Sequence, residues 1–320
     1  MIGDRLPAAR CCVHETMDVH HHLAPPAQLH SLAECGLPVP AMTSRWTIDN
    51  SLSQMSEAGV QRAVLSIAPP GLGYTDTRSR SLARACNEYA ALLASDYPTR
   101  FSFFAALPLT DTLSAIAEAD YALDRLGADG VILFTNINGK YLGDPHFEPL
   151  LDHLNARGAV AFVHPISNQC CSNLVSGIPD TVIEYGAETA RTIASLLFSK
   201  TAKERNQLRM IYSHAGGAMT ALTQRFTVFA QQTGGDDAVK RVQHALRSNF
   251  YDTAQSGNKI NLTALLQVVP VGQILFGSDY PFLGIGAQLA ALSGVGLNAG
   301  DLELILSRKA VLFPDNLSGL

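Results

Sequence analysis

Residues 159–165 read Ala-Val-Ala-Phe-Val-His-Pro. Five apolar residues in a row are too few for a typical helix but have the usual length of a buried strand. Since no polar residue alternates with them, both faces of this strand are expected to be covered, as in a parallel sheet packed beneath helices. The run ends in a histidine, so a titratable side chain is predicted at the carboxyl end of the strand.

The same pattern recurs along the chain. Seven further short apolar runs lie at 17–20, 62–67, 101–106, 130–134, 209–213, 249–252 and 273–277, and with 159–164 they make eight. Longer segments with apolar residues on one helical face lie between them, at 82–93, 111–126, 187–198, 218–231, 261–269 and 301–312. Strand and helix alternating eight times favour a closed (β/α)8 barrel of the TIM type.

We therefore predict an α/β protein that forms a single barrel domain over residues 1–320. The alternative is an open, doubly wound sheet, but no glycine-rich phosphate loop follows the first strand, which counts against a dinucleotide-binding version. Two connections are too long for simple turns, at 23–50 after strand one and at 165–185 after strand five. Long insertions of this kind are often binding loops.

The composition argues against two classes of binding partner. The chain is 47% hydrophobic, is only 16% charged and has a formal net charge of −5, so it offers no basic surface for nucleic acid or an anionic membrane. No apolar run reaches the roughly 18–20 residues that span a bilayer. A cytoplasmic protein is expected. Its six cysteines are interpreted as reduced thiols, because neither a secretion signal nor the spacing of a zinc finger accompanies them.

The first strand ends in the segment Asp18-Val19-His20-His21-His22. Side chains alternate along a strand, so His20 and His22 face one side and His21 faces the other. A His-x-His pair can present two imidazole nitrogens to one metal ion. Taken alone, three neighbouring histidines could equally form a polar turn.

Three later strands carry polar residues at the same place. His164, His214 and Asp279 each follow an apolar run at its carboxyl end, on strands five, six and eight. A lone histidine there is usually a structural residue that forms hydrogen bonds. In a barrel, however, the carboxyl ends of all strands open at one face, where active sites lie. The pattern therefore predicts that these groups lie near His20 and His22 at one mouth of the barrel.

These strand ends resemble the amidohydrolase superfamily, and in particular its decarboxylase branch of aminocarboxymuconate-semialdehyde and γ-resorcylate decarboxylases. The similarity is carried by His20-x-His22 and by the motifs Phe-Val-His-Pro at 162–165, Ser-His-Ala-Gly-Gly at 213–217 and Phe-Gly-Ser-Asp-Tyr-Pro-Phe at 276–282. It runs from about Asp18 to Phe313. Segments 121–124 and 127–131 are similar to 6-methylsalicylate decarboxylases in particular.

The resemblance implies one divalent metal ion, zinc or alternatively manganese, bound by His20, His22, His164 and Asp279. It implies that His214 lies beside a metal-bound water and moves protons. Strand four ends Phe134-Thr135-Asn136, without the lysine that bridges two metals in related hydrolases. The resemblance also implies a homodimer or homotetramer, since in some relatives an arginine reaches a neighbouring subunit's site.

Arg225 matches that arginine, and its planar guanidinium suits a substrate carboxylate. Its alternative role is an ordinary ion pair on a helix surface. Trp46, Phe282 and Phe104 could line an aromatic pocket or simply pack in the core. Ile166 stands where the semialdehyde decarboxylases have tryptophan, which argues against their substrate.

The predicted reaction is non-oxidative decarboxylation of a hydroxylated aromatic acid such as 6-methylsalicylate. The metal ion would fix the carboxylate and its ortho oxygen, and Asp279 or His214 would protonate the ring before carbon dioxide leaves. The same barrel could instead hydrolyse a lactone or amide with a metal-activated water, or hydrate an unsaturated acid. A protein that binds metal without turnover is a further alternative, although both proton-transfer residues are present.

Overall fold

The computed structural model describes residues 15–199 and 204–307. Eight strands form one sheet in which each strand pairs in parallel with the next along the chain. They are β1 (Met17–Leu23), β2 (Arg62–Ile67), β3 (Phe101–Ala106), β4 (Gly130–Phe134), β5 (Val160–His164), β6 (Arg209–Tyr212), β7 (Phe250–Asp252) and β8 (Ile274–Leu275). All eight strands are buried except for the first residue of β2 and of β6, as expected for a sheet that is covered on both faces.

The sheet closes between its first and last strands. The Val19 amide donates to the Phe276 carbonyl at 2.9 Å, and the His22 amide donates to the Tyr280 carbonyl at 2.7 Å. The Asp279 amide donates to the His20 carbonyl at 2.9 Å. Closure leaves the sheet without a free edge, so the predicted (β/α)8 barrel is confirmed and the open doubly wound sheet was wrong.

Helices separate the strands and cover the barrel. They are α1 (Pro26–Glu34), α2 (Ala41–Ser44), α3 (Ile48–Ala58), α4 (Arg78–Asp96), α5 (Thr112–Arg125), α6 (Glu148–Ala156), α7 (Asp180–Phe198), α8 (Met219–Ser248), α9 (Lys259–Leu266), α10 (Ile285–Ser293) and α11 (Ala299–Leu306). Asp111 caps α5, because its carboxylate accepts from the Leu113 amide. None of the described helices has the length and apolarity needed to cross a membrane.

The differences from the predicted elements have local causes. The segment 23–50 contains helices, because Pro26 occupies the first turn of α1 and Pro40 immediately precedes α2, where proline favours a helix start. Likewise α7 begins directly after Pro179, seven residues earlier than the predicted start at 187. Helix α8 continues past 231 to Ser248, with a left-handed kink at Gly235. The last part of the predicted helix at 301–312 lies outside the described residues.

Aromatic side chains fill the barrel beneath its mouth. Phe104 and Phe162 are almost fully buried, and their rings stack with centroids 5.5 Å apart. The ring of Phe162 also contacts the edge of His20, with centroids 4.9 Å apart. Phe104 is thus a core residue, one of the two roles left open above. This packed floor excludes water from below and confines polar groups to the upper end of the barrel.

Candidate metal centre

Five polar side chains from four strand ends meet at the barrel mouth. The Nε2 atom of His20 lies 3.0 Å from Nε2 of His22 and 3.1 Å from Oδ1 of Asp279. Nε2 of His22 is 3.2 Å from the same carboxylate oxygen. Possible ligand atoms of His20, His164, His214 and Asp279 all lie within 4.8 Å of one another. Residues separated by up to about 260 positions therefore form one compact cluster.

The three histidines of β1 lie on two different faces of the strand. His20 and His22 point into the barrel mouth, whereas the ring of His21 lies on the other face, where its nitrogens pair with Asp18 and Ser51 at 3.1 Å each. The His21 ring also stacks on Tyr280, with centroids 4.7 Å apart. His21 is therefore a structural residue, as the alternation of the strand predicts.

The imidazoles are oriented by their outer nitrogens. Nδ1 of His20 donates to the Asp252 carboxylate at 2.8 Å, and Nδ1 of His164 donates to the Pro165 carbonyl at 2.8 Å. Because Nδ1 of each ring is bound on the outer side, Nε2 is the nitrogen that faces the cluster. Both outer partners thus prepare the rings to act as metal ligands.

Three buried atoms in the cluster have no hydrogen-bond partner among the described residues. They are Nε2 of His164, Nε2 of His214 and Oδ1 of Asp279. Buried polar atoms are normally paired, so three unpaired atoms at one point call for a shared partner. Imidazole nitrogens with one carboxylate oxygen are the donor set of zinc and related divalent ions. The residues present therefore fit a divalent cation.

The charges of the cluster also favour a cation. Burial opposes a proton on His20, but the carboxylates of Asp252 and Asp279 outweigh it and raise the pKa of His20 to about 10. Burial, together with the neighbouring imidazoles, holds the pKa of His164 well below its usual value. Burial alone would raise the pKa of Asp279, yet the charge of His20 and the close contacts with the other imidazoles keep it well below its usual value. The site thus combines anionic carboxylates with a neutral imidazole ligand.

Asp252, at the end of β7, is a site residue that the sequence prediction missed. Besides binding Nδ1 of His20, its carboxylate accepts the backbone amides of His214 and Ala254, each at 2.9 Å. It therefore holds both a candidate ligand and the turn that carries His214. Its position, as the last residue of the predicted strand 249–252, is the pattern that could have revealed it.

We expect Asp252→Asn to weaken metal binding by about 10–100-fold, the usual effect of removing a partner that orients a ligand. The asparagine keeps the shape but loses the charge that fixes the His20 ring. Competition with a chromophoric chelator measures the affinity. Asp120→Asn is the matched control, because Asp120 also pairs with a histidine, His153 at 2.7 Å, far from the cluster. Equal affinities in both variants would contradict the assignment.

Backbone strain is concentrated at the same place. Among the described residues, six other than glycine have a left-handed φ, and four of these lie at the ends of β6, β7 and β8: His214, Ala215, Gln255 and Asp279, with φ between 52° and 63°. Such conformations each cost about 1–3 kcal/mol and persist where function or packing requires them. The backbone at these strand ends is therefore held in a strained conformation that sets the direction of the side chains.

The other predicted site residues have different surroundings. Phe282 lies against the cluster, since its ring contacts the edge of His22 with centroids 5.5 Å apart. Trp46 is partly buried and packs against the hydrophobic core. Arg225 is exposed on α8 and makes no hydrogen bond or ion pair with any described residue. The structure brings Phe282, but not Arg225, to the cluster of its own chain.

Tyr185 is a second residue that the prediction missed. It extends from α7, and its ring contacts the edge of His164 with centroids 6.0 Å apart. Burial, with the charge of Asp279, raises the pKa of Tyr185, so its hydroxyl stays protonated. This hydroxyl has no partner within the described part of the chain and can donate a hydrogen bond to a ligand. It lies at the end of the predicted insertion 165–185, where a binding role was expected.

The chain is similar to known proteins over most of its length. The family model described as amidohydrolase matches residues 17–307. Decarboxylase yanB of Aspergillus niger is 34% identical, over 94% of this chain and 88% of its own length. The 6-methylsalicylic acid decarboxylase of Penicillium expansum is 35% identical, over 83% of this chain and 84% of its own.

Solved structures share the fold at lower identity. A 2,6-dihydroxybenzoate decarboxylase in complex with 2,6-dihydroxybenzoate superposes with a TM-score of 0.82 at 22% identity, covering 94% of this chain and 99% of that one. A dihydroxybenzoic acid decarboxylase of Polaromonas, with bound manganese and 2-nitroresorcinol, has a TM-score of 0.82 at 21% identity, covering 95% and 98%. The resemblance seen in the strand-end motifs is confirmed. The chain belongs to the amidohydrolase family, within its decarboxylase branch.

Proposed function

We propose that this protein is a metal-dependent carboxy-lyase that removes carbon dioxide from a hydroxylated aromatic acid of the 6-methylsalicylate type. The observation that carries the proposal is the cluster of buried, unpaired Nε2 and Oδ1 atoms at the barrel mouth. Relatives that share more than a third of their residues with this chain, over most of its length, are named 6-methylsalicylic acid decarboxylases, which supports the substrate class.

His20, His22, His164 and Asp279 would hold the metal ion. We favour zinc, since three imidazoles and one carboxylate suit it, while manganese is bound in a structural neighbour from Polaromonas. When bound, the ion supplies a Lewis acid and a template for the oxygen substituents of the ring.

The proton is delivered by the chain itself. Oδ2 of Asp279 lies 3.5 Å from Nε2 of His214, and both face the barrel mouth. We assign Asp279 as the immediate donor to the ring carbon that bears the carboxylate, with His214 returning a proton to Asp279. Once that carbon is protonated, its bond to the carboxylate breaks, the electron pair restores the aromatic ring, and carbon dioxide leaves. The net reaction consumes one proton and needs no oxidant or organic cofactor.

Aromatic and charged groups would orient the acid. Phe282 and Tyr185 flank the imidazoles on either side, with ring centroids 5.5 Å from His22 and 6.0 Å from His164. Phe282 offers an apolar surface to the substrate ring, and the free hydroxyl of Tyr185 offers a donor to one of its oxygens. Because Arg225 is exposed and unpaired among the described residues, we propose that it serves the site of a neighbouring subunit in a homodimer or homotetramer.

Removal and restoration of metal test the proposal. Chelated protein is expected to lose essentially all carbon dioxide release from 6-methylsalicylate and related hydroxybenzoates, because the cluster then lacks its Lewis acid. One equivalent of zinc or manganese should restore it, with bound metal measured by mass spectrometry on the same sample. Release of no carbon dioxide from any acid of the panel, by metal-loaded protein that cleaves a lactone or amide, would replace decarboxylation with hydrolysis.

A further inference from the structure

Gln255 lies three residues beyond the end of β7 and is not explained by the fold or by the reaction above. Its side-chain amide donates a hydrogen bond to Oδ2 of Asp279. Its own backbone is left-handed, with a φ of 52°. The residue is exposed, so it links the buried carboxylate of Asp279 to the solvent side of the barrel mouth.

The two oxygens of Asp279 have different surroundings. Oδ1 lies 3.1 and 3.2 Å from the Nε2 atoms of His20 and His22 and has no hydrogen-bond partner. Oδ2 faces His214 at 3.5 Å and accepts from Gln255. A carboxylate rotates readily about its terminal torsion, which has a broad energy profile. A fixed donor on one oxygen is therefore needed to keep the two oxygens distinct.

The backbone around Gln255 is built to hold that donor in place. The backbone amide of Gln255 donates to Oε1 of Gln288 on α10 at 3.2 Å. On either side, the Ala254 amide donates to Asp252 at 2.9 Å and the Ser256 amide donates to the Thr253 carbonyl at 2.9 Å. Glycine adopts a left-handed φ without the steric cost that a glutamine incurs. The strain is thus retained at a residue whose side chain makes a specific contact.

We propose that Gln255 is a positioning residue that assigns the oxygens of Asp279 to separate tasks, keeping Oδ1 on the metal ion and Oδ2 toward the substrate. Without its amide, Oδ2 is free to turn onto the ion and so withdraw from the ring carbon. The inference rests on the proposed decarboxylation for its catalytic consequence, whereas the effect on metal coordination stands independently of the substrate.

Gln255→Met tests this, because methionine keeps the length of the side chain but has no amide donor. We expect kcat to fall about 10-fold, the effect of one lost hydrogen bond to a charged group. KM and metal content should stay unchanged, since the ligands remain. The cobalt(II)-substituted variant should show an altered visible absorption spectrum, as the second oxygen of Asp279 joins the ion. A merely structural role would leave that spectrum unchanged.

Gln224→Leu, on the exposed side of α8, is the control for loss of a glutamine. Gln255→Asn is a second variant in case methionine prevents folding; its amide is too short to reach Oδ2, so the same changes are expected. Spectra and kcat of both Gln255 variants that match those of wild type would overturn the inference. If wild type binds cobalt but decarboxylates no acid, the proposed function fails, and the spectra alone still decide the role of Gln255.

Discussion

Asp279→Asn is expected to lower carbon dioxide release by at least about 10³-fold, even at saturating metal. The amide retains an oxygen that can still bind the ion, but it cannot carry and donate a proton. It also removes the negative charge that His20, His22 and His214 share. The measurement is kcat with 6-methylsalicylate, taken together with the metal content of the same sample.

The exposed Asp49→Asn, in the first turn of α3, is the control for the same chemical change outside the site. Metal content near that of wild type, combined with lost turnover, would assign the loss to proton transfer. Activity within a few fold of wild type would instead point to His214 as the donor. That outcome would exchange the roles of the two residues without moving the site.

A second large effect is expected from a matched pair of neighbouring histidines. His22→Gln should lower metal affinity by more than about 100-fold, beyond the effect of an outer partner, and turnover should fall with it. His21→Gln should leave metal binding intact. It should lower the free energy of unfolding by about 1–3 kcal/mol, because buried Asp18 and Ser51 lose the ring that pairs with them.

Isothermal titration with zinc and chemical denaturation separate the two effects. Both variants carry the same substitution, at adjacent positions of β1. A difference in their metal affinity therefore shows which side of β1 each ring occupies. Loss of metal binding in His21→Gln, with retention in His22→Gln, would mean that His21, and not His22, faces the barrel mouth. The proposed centre would then have to be abandoned.

Sequence alone predicted the barrel and most of its mouth because both follow from local patterns. An apolar run that ends in a polar residue indicates both a buried strand and a polar side chain at its carboxyl end, as at His164 and Asp279. The alternation of β1 separated His21 from its neighbours for the same reason. These inferences need only the period of a strand and the shared direction of parallel strands.

The remaining site residues depend on contacts between distant parts of the chain. Asp252 acts through His20, which lies 232 positions away, and nothing near Asp252 announces that partner. Gln255 reaches Asp279 from a left-handed turn whose geometry is set by Gln288. Helices α1 and α2 were missed because the whole segment 23–50 was interpreted as a long connection. The local sequence pattern identifies the strand ends, whereas tertiary packing determines which side chains from different strands come into contact.

Closure of the barrel has a consequence for synthesis of the protein. The hydroxyl of Ser278 donates to Asp18, 260 positions earlier, so the first strand finds its final neighbour only when nearly the whole chain has been made. At about 5–20 residues per second, the edge of β1 that faces β8 waits on the order of 10–50 seconds for its partner, whereas the other edge can pair with β2 much earlier. During that time one edge of β1 stays open, and His20 and His22 lack the carboxylate of Asp279. Chaperones that shield this open edge are therefore expected to raise the yield, and a metal ion should be bound only after Asp279 has been made.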